Sequence, residues 1–187
     1  VELAVALETV YDTAKDRLVF DVGHQSYVHK ILTGRQAGFD CLRQFGGMSG
    51  FPKRDESDCD AFDTGHSSTS ISAGLGIVQG NILMGNDSHV ISIIGDGALT
   101  GGMAYEALNN AAVLNKNYII VLNDNDMSIS KNVGGMSKYL TTVRAGSAYN
   151  DLKNGVVDTL NRIPKVGDKL VNKIRRTKSS IKQLVIP

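Results

Sequence analysis

The chain has only two cysteines in 187 residues, Cys41 and Cys59. They stand 18 positions apart, with no Cys-x-x-Cys or histidine-pair spacing around them. That excludes a disulfide framework and a structural zinc set, and makes two reduced thiols the expectation. Net charge is equally scarce at +1, so no global field favours nucleic acid or an acidic partner, and the basic residues have to be read locally. No apolar run reaches bilayer-spanning length, no signal or transit pattern is visible, and there are no repeats or low-complexity tracts. What is present is 42% hydrophobic residues, enough at this length to bury one sizeable core.

Two short apolar runs organise that core. Val90-Ile91-Ser92-Ile93-Ile94 and Tyr118-Ile119-Ile120-Val121-Leu122 are continuous and β-branched, as buried parallel strands are. Between them Met103, Ala104, Ala107, Leu108, Ala111 and Ala112 recur at helical spacing, so strand, helix and strand form one βαβ unit. Each run ends in polar residues: Gly95-Asp96-Gly97-Ala98 after the first, Asn123-Asp124-Asn125-Asp126-Met127 after the second. In open α/β sheets the ligand crevice lies beyond the carboxyl ends of the strands, which is where Asp96 and Asn125 would sit. A carboxylate, an amide and main-chain carbonyls suit the octahedron of Mg²⁺, and Mg²⁺ in turn suits a diphosphate. Ala98-Leu99-Thr100 is expected to open the helix and offer N–H groups to phosphate. An ordinary βα turn that uses Gly-Asp-Gly for its backbone angles is the plainer alternative. A dinucleotide fingerprint fits less well, because Thr100 stands where a third glycine is needed, and no lysine follows as in a P-loop.

Upstream, residues 1–7 look helical, residues 17–22 read as a strand ending at Gly23-His24, and a short helix is expected over 26–32. The glycine- and charge-rich stretch 46–63 has loop composition and is expected to run over the surface beside the site. Residues 67–83 look helical, with Gly74, Gly76 and Gly80 costing propensity that only close packing would justify. Ser67 to Ser70 could form an N-cap cluster, contact phosphate, or do both. From about Met136 the pattern changes to polar helices. The basic stretch 162–182 reads as the solvated face of a mobile connection, ahead of a membrane-surface or nucleic-acid role. A strand-end histidine such as His24, or a loop histidine such as His66, is more often structural than catalytic. His29 and His89 look structural or exposed.

Four motifs in consistent order change the reading of the two site histidines: Asp21-Val22-Gly23-His24-Gln25, His29-Lys30-Ile31-Leu32-Thr33-Gly34-Arg35, Gly65-His66-Ser67-Ser68-Thr69-Ser70, and Gly95-Asp96-Gly97 with Asn123-Asp124-Asn125-Asp126-Met127. Together they resemble the transketolase-like thiamine diphosphate enzymes, and within them the 1-deoxy-D-xylulose-5-phosphate synthases. The resemblance implies an α/β fold in three layers, a mostly parallel sheet with helices on both faces. Its cofactors would be thiamine diphosphate and Mg²⁺. Asp96, Asn125 and the Met127 carbonyl would hold the metal. His24, Gly65, His66, Ser67, Gly97, Ala98 and Asn125 would contact the cofactor, with His24 and His66 in catalytic roles.

The reaction implied is decarboxylation of pyruvate with two-carbon transfer to glyceraldehyde 3-phosphate, in a cytoplasmic, bacterial-type homodimer with no nucleic-acid or membrane partner. Family members also carry a preceding segment with a further active-site histidine, and a second α/β domain whose glutamate activates the cofactor. The resemblance therefore implies a fragment: a cofactor-binding domain over 1–135, truncated at its start, and a helical basic connection over 136–187 toward the remaining domains. A small subunit of a split transketolase and a silent Mg²⁺-diphosphate-binding module are the rival readings.

Overall fold

The computed structural model describes residues 1–114 and 117–124, with Gly135, Lys138, Tyr139 and Thr142 beyond them. The chain divides into two units, Val1–Asn132 and Val133–Pro187. The expected basic connection over 136–187 lies, apart from three of those single residues, outside the described part. So do Asn125 and Met127.

Three strands form one parallel sheet in the order β1-β2-β3: β1 is Arg17–Phe20, β2 Val90–Gly95 and β3 Tyr118–Asn123. Phe20 pairs with Ile93 and Gly95 with Asn123. A parallel sheet is covered on both faces, which is why β2 is apolar nearly throughout. On one face Leu18, Phe20, Ile91 and Ile93 pack with Leu7 of helix α1 (Glu2–Val10), joined by Leu3, Tyr11 and Val121. On the other, Ser92 and Tyr118 meet helix α3 (Ser70–Met84) at Ser70, Ile71 and Gly74. Complete burial of an isoleucine such as Ile91 or Ile93 is worth about 1.5–3 kcal/mol. The α/β architecture with a parallel sheet and helices on both faces is thus the one expected.

Under α3, Tyr118 Oη donates to the Ile71 carbonyl at 2.7 Å and lies 3.0 Å from Ser92 Oγ. Burial outweighs the Ser92 contact and pushes the phenol up to about 12. Close packing explains Gly74, where a Cβ would lie 2.2 Å from Ser92 Oγ, but not Gly76 or Gly80, which have open space. The helix stops at Gly85, whose φ of 66° is the left-handed C-terminal conformation.

Helix α2 is shorter than expected, Tyr27–Lys30, entered by a 3₁₀ turn over Gly23–Ser26 and followed by a wide turn that breaks at Thr33 and Gly34. Asp96 is followed not by a helix start but by a separate 3₁₀ turn, Ala98–Thr100, anchored by the buried Leu99. Gly101 is extended and α4 begins only at Gly102, running to Ala111. Its free N–H groups therefore lie beyond the Gly97-Ala98 turn. The 46–63 loop does run beside the end of β1, since a Cβ on Gly23 would come 2.2 Å from the Gly50 carbonyl. It is not wholly a surface loop, however, because Asp60 is buried.

Candidate functional site

β1 and β2 end side by side, and the structure gathers the motifs there. Asp21 follows β1 and is fully buried, its N–H donating to the Ile93 carbonyl. Its carboxylate accepts the main-chain N–H of Ser68 at 2.5 Å and of Ser70 at 3.0 Å. The serine cluster is therefore not its own cap. An acid from the neighbouring strand satisfies the first turn of α3, which is favourable for charge as well as for hydrogen bonding. Thr64 Oγ1 donates to the Phe20 carbonyl at 2.8 Å and secures the near end of the same loop.

Ser68 is the hinge of this arrangement. It holds φ at 70°, uncommon for a residue with a side chain. Its Oγ donates to the Ala98 carbonyl at 2.7 Å, and a Cβ on Gly101 would come 2.2 Å from that oxygen. One residue thus joins the end of β1, the Gly65-His66-Ser67 loop and the turn after Asp96. The sequence points to Ser68 only as one of a serine cluster that caps α3 or meets phosphate, and to Asp21 only as the first letter of its motif.

Among the expected site residues, Asp96 is buried at the end of β2, with Gly97 and Ala98 half-buried behind it. His24, Gly65, His66 and Ser67 are exposed to solvent. His66 Nδ1 lies 2.8 Å from the Ser67 carbonyl, so that nitrogen donates and Nε2 is left as the proton acceptor. No cluster of three or more His, Cys, Asp or Glu residues capable of holding a metal occurs among the described residues. The expected set calls for one acid, Asp96, with Asn125 and the Met127 carbonyl outside the described part.

The local chemistry fits a diphosphate with a hard cation. Asp96 is an oxygen donor at the strand end, and Gly65 and Gly102 leave open space where a side chain would stand. The Oε1 of Gln25 is buried with no hydrogen-bond partner among the described residues, and its Nε2 lies 3.4 Å from where a Gly95 Cβ would be. A buried acceptor left open at a sheet end has room for a polar group beyond the described residues. A separate recess, lined by Val78, Asn81, Asp87 and Asn117, lies at the opposite, amino ends of β2 and β3, away from these motifs.

A parallel sheet whose strand ends carry this Asp-Gly turn beside a Gly-His-Ser loop is an α/β domain of the transketolase type. Transketolase from Leishmania mexicana shares the fold with a TM-score of 0.57 at 23% identity, over 74% of this chain and 26% of that one. The chain belongs to the 1-deoxy-D-xylulose-5-phosphate synthase family, whose sequence model matches residues 1–187. The synthase of Lachnoclostridium phytofermentans is 59% identical over 187 residues, and that of Syntrophomonas wolfei 54%. These matches cover all of this chain but only 30% and 29% of the relatives, so it spans about a third of their length.

Proposed function

We propose that this chain is the cofactor-diphosphate-binding part of a 1-deoxy-D-xylulose-5-phosphate synthase. The intact enzyme would join pyruvate to glyceraldehyde 3-phosphate with loss of carbon dioxide, the entry to non-mevalonate isoprenoid synthesis. The observation that carries this is the identity of more than half of all positions across the whole chain to relatives of that name, together with the buried Asp96 at the β2 end. Thiamine diphosphate, when bound, supplies the carbon nucleophile and electron sink that decarboxylation of an α-keto acid requires.

The protein's share is binding, orientation and proton handling. Asp96, the Asn125 side chain and the Met127 carbonyl would hold Mg²⁺, and the main-chain N–H groups of Gly97 and Ala98 would meet phosphate oxygens. His24 and Gly65-His66-Ser67 would line the cofactor and the adjacent substrate, and the Nε2 that His66 leaves open beside its Nδ1–Ser67 contact would serve for proton transfer there. The remaining domains of the enzyme complete the site, and the enzyme works as a cytoplasmic homodimer. The test is an assay of the intact enzyme with pyruvate, glyceraldehyde 3-phosphate, thiamine diphosphate and Mg²⁺. Carbon dioxide and 1-deoxy-D-xylulose 5-phosphate should form in equal amounts. The 187-residue chain alone should be inactive, and turnover by it at the rate of the intact enzyme would contradict the assignment.

A further inference from the structure

Behind the site, three cations meet three carboxylates in the interior. Lys30, fully buried, donates from Nζ to Glu56 Oε2 at 2.6 Å and to the Ser49 carbonyl at 2.8 Å. Arg35 forks onto Asp60, with Nη1 at 2.7 Å and Nη2 at 2.8 Å, and also lies 3.6 Å from Glu56. His29, 1% exposed, packs against the Phe20 ring and sets Nε2 2.8 Å from Asp60 Oδ1 and Nδ1 against Glu8. Only an imidazolium donates from both nitrogens. The cluster is therefore charge-balanced only while His29 carries its proton, and an unbalanced buried charge is costly.

Five of its members come from the two segments that carry the site histidines, and the sixth, Glu8, comes from α1. Lys30, His29 and Arg35 follow His24, while Glu56 and Asp60 precede Gly65. We propose that this cluster is a positioning device: it fixes the His24 segment to the Gly65-His66-Ser67 segment and both of them to α1, and the protonated His29 ring is its removable link to α1. The proposal rests on the reading of those two segments as the site. His29 is a positioning residue and touches no substrate.

Burial alone would push the His29 pKa down, but the hydrogen bonds to Asp60 and Glu8, and their charges, reverse this and leave it above the ordinary histidine value. With the folded pKa raised, the link is complete at and below the ordinary value and is lost as pH rises through the folded one. Asp60 keeps the Arg35 fork and the Lys53 N–H at 2.7 Å when that happens. Glu8 is otherwise held by the Thr13 hydroxyl at 3.1 Å, so the contact to α1 gives way first.

The test uses the intact enzyme and its Glu8→Gln and His29→Gln variants. ¹⁵N-histidine NMR, assigned by the peak missing in His29→Gln, should show both His29 nitrogens protonated at neutral pH. Its midpoint should lie above that of free histidine and fall in Glu8→Gln. Hydrogen-exchange protection over residues 2–10, 23–26 and 64–70 should drop through the same titration. Affinity for thiamine diphosphate with Mg²⁺, by titration calorimetry, should weaken about tenfold alongside it. In His29→Gln neither quantity should change over that pH range. A His29 that is neutral at pH 7, or protection that stays flat through its titration, overturns the proposal. A parent enzyme that binds no thiamine diphosphate at any pH would instead overturn the proposed function, with NMR and exchange still deciding the role of the cluster.

Discussion

The carboxylate of Asp21 lies 2.5 Å from the main-chain nitrogen of Ser68, across 47 positions of sequence. With the Thr64 hydroxyl on the Phe20 carbonyl, this contact ties the end of β1 to the loop that carries His66. Asp21→Asn replaces one acceptor oxygen with a donor that faces an N–H group. The variant should lose about 1–3 kcal/mol of stability, seen as a lower denaturation midpoint. An unchanged midpoint would mean that the loop is held by other contacts.

Two glycines of α3 make a controlled pair. Gly74→Ala forces a methyl group to within 2.2 Å of Ser92 Oγ and 2.8 Å of Tyr118 Oη, and should cost about 1–3 kcal/mol. Gly76→Ala meets nothing within 4 Å and should be neutral or stabilise by up to about 1 kcal/mol through helix propensity. Thermal melts of the two variants should move in opposite directions.

Asp60 makes the structure sensitive to acid. Burial would raise its pKa, but Arg35, His29 and the Lys53 N–H together hold it well below the usual carboxylate range. With the folded pKa depressed, its contribution is complete above the ordinary aspartate value near 4 and is lost as pH falls toward the folded one. Asp60→Asn takes the shared carboxylate from Arg35 and His29, leaving them Glu56 at 3.6 Å and Glu8 respectively, and should cost about 3–5 kcal/mol near neutral pH. The gap between parent and variant should narrow in acid. A gap that is constant with pH would show that the charge of Asp60 is not what matters.

The strands, their parallel direction and the strand-end position of Asp96 were legible in the sequence, because continuous β-branched runs followed by Gly-Asp-Gly admit few other readings. The local detail was not. Residues 46–63 looked solvated because charge reads as exposure, yet the partners that bury Asp60, His29 and Arg35, stand 25 or more positions away. Lys30 drew no notice as a core residue, although it has no exposed surface. The helix expected directly after Asp96 starts later because Gly101 is extended, and the Ser68 side chain that fills the space where a Gly101 Cβ would stand comes from 33 positions away, which no local pattern carries. Close packing was inferred for three glycines of α3 and holds only where Ser92 and Tyr118 stand opposite, at Gly74.

The central claim is that Asp96, buried at the carboxyl end of β2, holds the metal through which the cofactor's diphosphate is bound. Titration calorimetry of the intact enzyme with thiamine diphosphate, with and without Mg²⁺, in the parent and in Asp96→Ala, tests it most directly. The parent should bind only with Mg²⁺, and Asp96→Ala should lose that binding while its circular dichroism stays that of the parent. Binding by Asp96→Ala as tight as the parent's would contradict the claim.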